Sequence, residues 1–447
     1  MKKFISTIQD IWKIEELRNK IIITLGLLAV YRLGAHLTLP GIDGSQLTGM
    51  DQKAGGAGLL GILNMFTGGA FARASIMALG VMPYISASIV VQLMGIAIPY
   101  LQKLKNEGES GNKKITQITR WLTIVILVVQ APAYLVSLPS LGVPESAFLL
   151  GHGFKFWFSS ILLLTTGTIF AMWLGERITE KGIGNGISLL IMIGIMARMP
   201  ASFALEVGSK LEASRGGVMM IMLEVIAWLL VTMAAVYLVT AIRKIAVKYA
   251  KRTVAGTIGS LDVDGARDYV PLKLNSAGVM PIIFAQAIMF VPALLQKSDN
   301  ETIKSIGAEF SDMFGLWYNL LFAALIIIFG YFYTAITIPT NKMADDLKRG
   351  GGFIPGFKPG SETADFLDTV LSRITLPGSL FLALLAILPA IIVNFDIQSG
   401  WAMFYGGTSL IIMVGVVMDT IQQVESHLLN RHYDGLMKKG NKRKSIK

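Results

Sequence analysis

Cysteine is absent from the chain, which excludes disulfides and cysteine chemistry of any kind. Histidine is scarce: His36, His152, His427 and His432 are the only four, and none falls in the middle of a long apolar run. No HExxH, Walker A or zinc-ligand spacing occurs, and the glycines at 350–352 lack the Lys-Ser/Thr that a phosphate loop needs. Charge is also thin. Only 15% of the residues are charged, against roughly 25% in a soluble domain. The apolar runs contain almost no ionisable residues; Glu224, early in one run, is an exception, and Asp419 lies at the inner end of another. Coupled carriers keep carboxylates or histidines at mid-membrane depth, so this scarcity argues against that class. Gln92, Gln130 and Gln286 are the main polar candidates for a solute path, and each could equally hydrogen-bond a neighbouring helix. An intramembrane enzyme would need a nucleophile with its base, or a metal set, and the sequence places neither. No cofactor is expected.

What the chain has in abundance is apolar sequence: 53% of residues, with a mean hydropathy of +0.59. It comes in runs of about 18–25 residues, the length that crosses a hydrocarbon core of about 30 Å. Ten spans are expected, at 21–33 (extended at both ends), 74–98, 121–138, 156–174, 187–199, 218–242, 277–295, 316–338, 374–393 and 403–418. The fold class is an all-α polytopic membrane protein. Of the 40 Lys and Arg residues, 31 fall in the amino terminus, the carboxyl tail and alternate connections, so the positive-inside rule places both termini in the cytoplasm. The net charge of +11 suits loops facing anionic lipid, with nucleic acid as a second partner class. The start does not read as a cleavable signal peptide, because Asp10, Glu15 and Glu16 interrupt it. Phe4, Ile8, Ile11 and Trp12 instead suggest an amphipathic surface helix over residues 1–20.

Five spans (21–200) followed by five more (218–420) enter the membrane in opposite senses, which permits an inverted repeat with the working site between the halves. Residues 201–217 are the expected outer joint. Between the first two spans, the apolar piece 59–66 is too short to cross and is bracketed by Gly55, Gly56, Gly58, Gly68 and Gly69. It reads either as a re-entrant segment buried in protein or as a surface loop with a few apolar anchors. Two connections on the cytoplasmic side are long. In 243–275, Ile245, Val247 and Tyr249 alternate with Lys244, Ala246 and Lys248, which is strand periodicity and predicts a hairpin-like projection. In 340–373, the glycines at 350–352 with Pro355 and Pro359 break the chain sharply. Loops of this length either serve partners or are solvated connectors. The basic tail, 421–447, is expected to be disordered and to face lipid or a partner.

Five collinear stretches, MFTGGAFARASIMALGVMPYISASIVVQL (65–93), GERITEKGIGNGISLLI (175–191), PLKLNSAGVMPIIFAQAI (271–288), GGFIPGFKPGSETADFLDTVLSRITLPG (351–378) and FYGGTSLIIMVGVVMDTIQQVESHL (404–428), resemble the bacterial SecY family, the central subunit of the protein-conducting channel. The resemblance runs from Met1 to about Lys439. It implies two five-helix halves around an hourglass pore in the bacterial inner membrane. Leu59, Leu60, Ile62, Leu63, Met65 and Phe66, within about 59–70, would form the re-entrant plug. Val81, Ile85, Ile191, Ile283 and Ile412 would form the pore ring. Spans two, three, seven and eight would make the lateral gate. An aliphatic ring suits a pore that passes every kind of side chain, since it offers no hydrogen bond to trap one and dewets when empty. Any isoleucine in a span is otherwise lipid-facing or packed in a core. The resemblance further implies docking of the SecA motor ATPase or the ribosome on Arg243, Lys244, Lys248, Lys251, Arg252, Lys348, Arg349 and Lys358. It also implies SecE-like and SecG-like small subunits, signal peptides and nascent chains, anionic lipids, and YidC and SecDF as associates. The family carries arginine in GxRPG where this chain has Lys358 in GFKPG, so the charge stays while the planar fork is lost.

Overall fold

The fold is taken from a computed structural model of the chain. It describes residues 12–47, 59–139, 143–149, 151, 153–212, 217–249, 267–289, 305, 307, 309, 310 and 312–444. In chain order the elements are α1 (Glu15–Gly34), the short α2 (Leu59–Phe66), α3 (Met82–Ala97), α4 (Pro99–Asn106), α5 (Glu109–Ser137), α6 (Phe154–Lys181), α7 (Gly186–Glu212), α8 (Gly217–Thr240), β1 (Ile242–Tyr249), β2 (Arg267–Lys273), α9 (Met280–Ile288), α10 (Leu316–Thr337), α11 (Thr340–Arg349), β3 (Gly352–Phe353), α12 (Ser361–Val393), α13 (Ser399–Ala402) and α14 (Gly407–Lys444). Among the described residues, seven helices are long and apolar enough to cross a membrane, and α3 with α4 passes the same test only as a bent pair. The break has a local cause. Ile98 precedes Pro99 and is held extended, at φ −101° and ψ 116°, so α4 leaves α3 at 102°. Helices α1 and α9 lie at the two remaining expected span positions. The protein is a mostly helical, multi-pass membrane protein, with one small three-stranded sheet.

The described chain divides into two compact units. The first contains the described residues of Met1–Val218, Gln398–Trp401 and Val416–Lys447. One core of this unit gathers Leu39, Ile42, Phe71, Tyr134, Leu138, Phe148, Phe156 and Leu164 from α5, α6 and three stretches of irregular backbone. Those stretches satisfy their polar groups on each other: Leu39 N donates to Ala74 O at 2.8 Å, Ile76 N to Leu37 O at 2.9 Å, and Ile42 bridges Phe148. Non-helical backbone at such a site is stable because protein, not lipid, surrounds it. The turn between α6 and α7 explains the glycines of GIGNGIS. Gly184 sits at φ +84°, and Gly186 packs its α-carbon against the Gly175 carbonyl, where a side chain would collide. Gly186 N is held by Thr179 Oγ1 at 2.9 Å and Gly184 N by Gln423 Oε1 at 2.8 Å. Arg120 of α5 forks onto Glu176 of α6, with Nε and Nη2 donating at 2.9 and 2.5 Å.

The second unit contains the described residues of Met219–Ile397 and Ala402–Gly415. Helices α10 and α12 pack closely enough that Gly330 lies against Ser379. Trp228 Nε1 donates to Phe404 O at 3.0 Å and Tyr405 OH to Glu224 O at 2.8 Å, which fastens the entry to α14 onto α8.

Several expected boundaries shift. The second span was expected from 74, but 74–81 is a run of turns with Ala74 at φ +47° and Gly80 at φ +53°, so the helix begins at Met82. Residues 201–217 were expected to be a loop, but α7 runs on through Pro200 to Glu212. The extension is held by a buried face. Phe203 packs on Trp401 at 4.9 Å between ring centres, Glu206 Oε2 accepts from Gln398 N at 2.9 Å, and Glu206 Oε1 faces Lys210 Nζ at 3.7 Å. The tail expected to be disordered continues α14 to Lys444. Residues 1–11 of the expected amphipathic helix lie outside the described residues, and from Glu15 the chain is already the helix that enters the first span.

Candidate functional site

Of the candidate ring residues, Val81, Ile85 and Ile191 belong to the first unit, and Ile283 and Ile412 to the second. Val81 is the N-cap of α3 and is buried, and Ile85 follows one turn later, partly buried. Ile191 is buried on α7, and Ile412 on α14. Ile283 is partly buried on α9, among the buried Ile282, Phe284 and Ala285.

The short α2 is helical as a re-entrant segment requires, and it packs against protein. The chain following it is self-bonded. Asn64 Oδ1 accepts from Ala72 N at 3.0 Å, Thr67 Oγ1 donates to Leu63 O at 3.0 Å and accepts from Phe71 N at 3.1 Å, and Gly69 N donates to Asn64 O at 2.9 Å. Gly68 and Gly69, at φ +65° and +89°, end the helix in the left-handed conformation that glycine adopts without strain. Of the six plug candidates, Met65 and Phe66 are buried and Leu63 packs against the core around Phe71 and Tyr134; the side chains of Leu59, Leu60 and Ile62 lie outside the described ones. The segment is tied to two long helices. Arg32 Nη1 of α1 donates to Gly68 O at 3.4 Å, and Tyr134 OH of α5 donates to Phe71 O at 2.7 Å. Its backbone also meets α7, where Gly194 touches Phe66 and Gly68. Tyr134→Phe should therefore lower stability by about 1 kcal/mol, the net worth of one buried hydrogen bond. A thermal unfolding midpoint equal to that of the unaltered protein would show that this tie does not hold the segment.

Sequence reasoning found α2 from its glycine brackets but missed Arg32, Tyr134 and Gly194. A lone arginine at a span end, a tyrosine and a glycine within spans carry no periodic signal.

The described candidates on the two long connections form one small module. The predicted hairpin is present, with β1 antiparallel to β2 and Ala246 opposite Tyr269. The other long connection joins the same sheet: β3 pairs with β1, Lys248 opposite Phe353, giving the order β2-β1-β3. One face of the sheet packs Ile245, Val247 and Leu272 onto Ile354 and Leu367, with Met343 and Leu347 of α11 beside them. Alternation then turns Lys244 and Lys248 outward, and both are exposed, as are Arg243, Lys348, Arg349 and Lys358. Lys358 Nζ lies 3.4 Å from Glu362 Oε1, an exposed pair. Lys251 and Arg252 lie outside the described residues.

The chain matches the SecY family over residues 75–421. It is similar to the protein translocase subunit SecY of Mycobacterium bovis, at 40% identity over 98% of this chain and 100% of the relative. The same subunit of Haemophilus influenzae is 40% identical over 95% of each chain. In fold it is similar to a SecY protein whose plug domain stabilises the closed state of the translocation channel and maintains a membrane seal, with a TM-score of 0.62 and 19% identity over 92% of both chains. It is also similar to Sec61 in the canine ribosome-channel complex from the endoplasmic reticulum, with a TM-score of 0.57 and 17% identity over 92% of both.

Proposed function

This chain belongs to the SecY family, and on that premise we propose that it conducts unfolded secretory polypeptides across the bacterial inner membrane and releases membrane helices sideways into it. The single observation that carries the proposal is the seating of α2. An eight-residue helix, too short to span, rests on α7 at Gly194, one helical turn after Ile191. A stopper lying against the span that carries an aliphatic constriction residue is what a closed polypeptide pore needs.

In this mechanism Val81, Ile85, Ile191, Ile283 and Ile412 line the narrowest point. Aliphatic walls present no donor or acceptor, so they neither grip the passing chain nor hold a water file when empty. Helices α3, α5, α9 and α10 form the lateral gate. The chain supplies the path, and the driving energy comes from a motor ATPase or a translating ribosome. The exposed cations Arg243, Lys244, Lys248, Lys348, Arg349 and Lys358, with Lys251 and Arg252, receive that partner on the cytoplasmic side, where both termini also lie. Exposed lysines and arginines suit phosphate and carboxylate partners and speed their arrival. SecE-like and SecG-like subunits, signal peptides, anionic lipids, and YidC and SecDF complete the partner set.

The test is a stalled nascent chain. A secretory polypeptide carrying a photocrosslinker and arrested in membranes containing this protein should crosslink to Ile85, Ile191 and Ile283. Crosslinks confined to lipid or to other proteins would overturn the proposal.

A further inference from the structure

We propose that Gly194 is the seat of α2, a positioning residue whose missing side chain sets how tightly the stopper closes. The inference rests on the channel reading above and goes one step further, to the contact that regulates closure. The contact is backbone on backbone. A β-carbon at Gly194 would stand 2.5 Å from Phe66 O, with Gly68 N and Phe66 C both at 3.3 Å. The relation is mutual: a β-carbon at Gly68 would stand 3.0 Å from both Gly194 Cα and Gly194 O, and would also strike Arg32 Nη1. Two glycines therefore face each other, one at the end of α2 and one in the middle of α7.

The atom that a new β-carbon would meet is a carbonyl oxygen, not the tip of a flexible side chain. It cannot turn away, so α2 must lift. Dispersion attraction falls steeply with separation, and a gap of 0.5–1 Å already forfeits about a quarter to a half of each contact. The lift is directed. Phe71, beyond Gly68 and Gly69, is pinned by Tyr134. The two glycines give the chain its freest backbone torsions between that pin and α2. Alanine at 194 should therefore swing α2 off its seat, at the expense of the Asn64–Ala72 and Thr67–Phe71 bonds, while the segment from Phe71 onward stays in place. Gly194 itself is a helix residue with an ordinary backbone, so alanine there costs α7 nothing in propensity. The seat is distinct from the ring: it acts on whether the stopper rests, not on what lines the pore.

The experiment uses the intact complex in proteoliposomes, with a cysteine introduced as Met65→Cys, a buried position on α2. Maleimide labelling from the outer side should be slow with Gly194 present, about tenfold faster in Gly194→Ala and faster still in Gly194→Val. Resting ion leak should rise in the same order. Labelling equally slow in all three would overturn the inference, whatever the leak. Deleting 59–66 separates the two levels. If Gly194 acts through α2, Gly194→Ala adds no leak to the deletion. If it adds leak there, Gly194 acts on the pore itself and the seat is wrong. If the deletion alone leaves leak unchanged while labelling still follows the Gly194 series, the seat stands and the stopper reading fails.

Discussion

Replacing Ile191 with Asn is expected to raise the resting ion leak of the reconstituted channel at least about tenfold and to loosen its selection of signal sequences. Ile191 is only 6% exposed. Its side chain offers water nothing, and a narrow aliphatic ring empties because each molecule entering it gives up hydrogen bonds. An amide returns some of them. A polar group without a partner in apolar surroundings costs about 1–3 kcal/mol, and admitting water is how the site would recover it. Since about 1.4 kcal/mol is a factor of ten, even the lower part of that range moves the wetted population by an order of magnitude. A ring that stays wet is also easier for a poor signal sequence to open, because less apolar contact must be displaced. Ile191→Leu is the control. It keeps the volume and the apolar character, a swap that usually costs under about 1.5 kcal/mol, and its leak should stay near the starting value. Ile283→Asn should behave as Ile191→Asn does. Unchanged leak in both Asn variants, with unchanged export of signal-defective substrates, would remove these residues from the constriction.

How far such residues can be read from sequence depends on which physical constraint fixes them. The spans were legible because bilayer thickness fixes the length of an apolar run, and the helices over 154–181, 217–240 and 316–337 fall where hydropathy places them. The hairpin was legible because alternation of Ile245, Val247 and Tyr249 with lysines has only one structural solution, and β1 buries that face. Hydropathy does not report backbone torsion, however. Residues 74–81 are apolar enough to continue a span, yet they turn because their carbonyls and amides are satisfied by residues 37–39 and by local bonds. The extension of α7 past Pro200 was hidden for a related reason. Proline and a charged stretch read as a loop, whereas Glu206 and Lys210 are buried and face each other, Glu206 accepts from Gln398 N, and Phe203 packs on Trp401, nearly two hundred positions away in sequence. The joining of both long connections into one sheet rests on a two-residue strand, β3, far too short to leave a periodic trace. Gly194 is the extreme case. What matters there is an absent atom, and only the neighbouring Phe66 carbonyl reveals it.

That shared sheet leads to the second large effect. Leu367→Ala is expected to open the sheet module and abolish partner docking while leaving resting leak unchanged. Leu367 is 1% exposed and sits among Ile245, Val247, Leu272 and Ile354. It is on α12 but seven residues before the stretch expected to enter the membrane at 374. Leu→Ala in a packed core costs about 2–5 kcal/mol. The module has one sheet of three short strands and one small cluster to hold it, so it belongs at the low-stability end of the molecule. A loss of about 2 kcal/mol should speed hydrogen exchange of the β1 amides by about thirtyfold. Trypsin should then reach Arg243, Lys244 and Lys248, which the paired strand otherwise shields. Docking would fail because the cations lose their common frame, not because charge is lost. Lys244→Glu with Lys248→Glu makes the opposite change: both side chains are exposed, so exchange of β1 should stay slow while binding of the ribosome or motor falls. If Leu367→Ala leaves β1 exchange slow, the cluster does not hold the sheet. If it speeds exchange yet docking persists, the partner reads the basic residues without needing the fold that displays them.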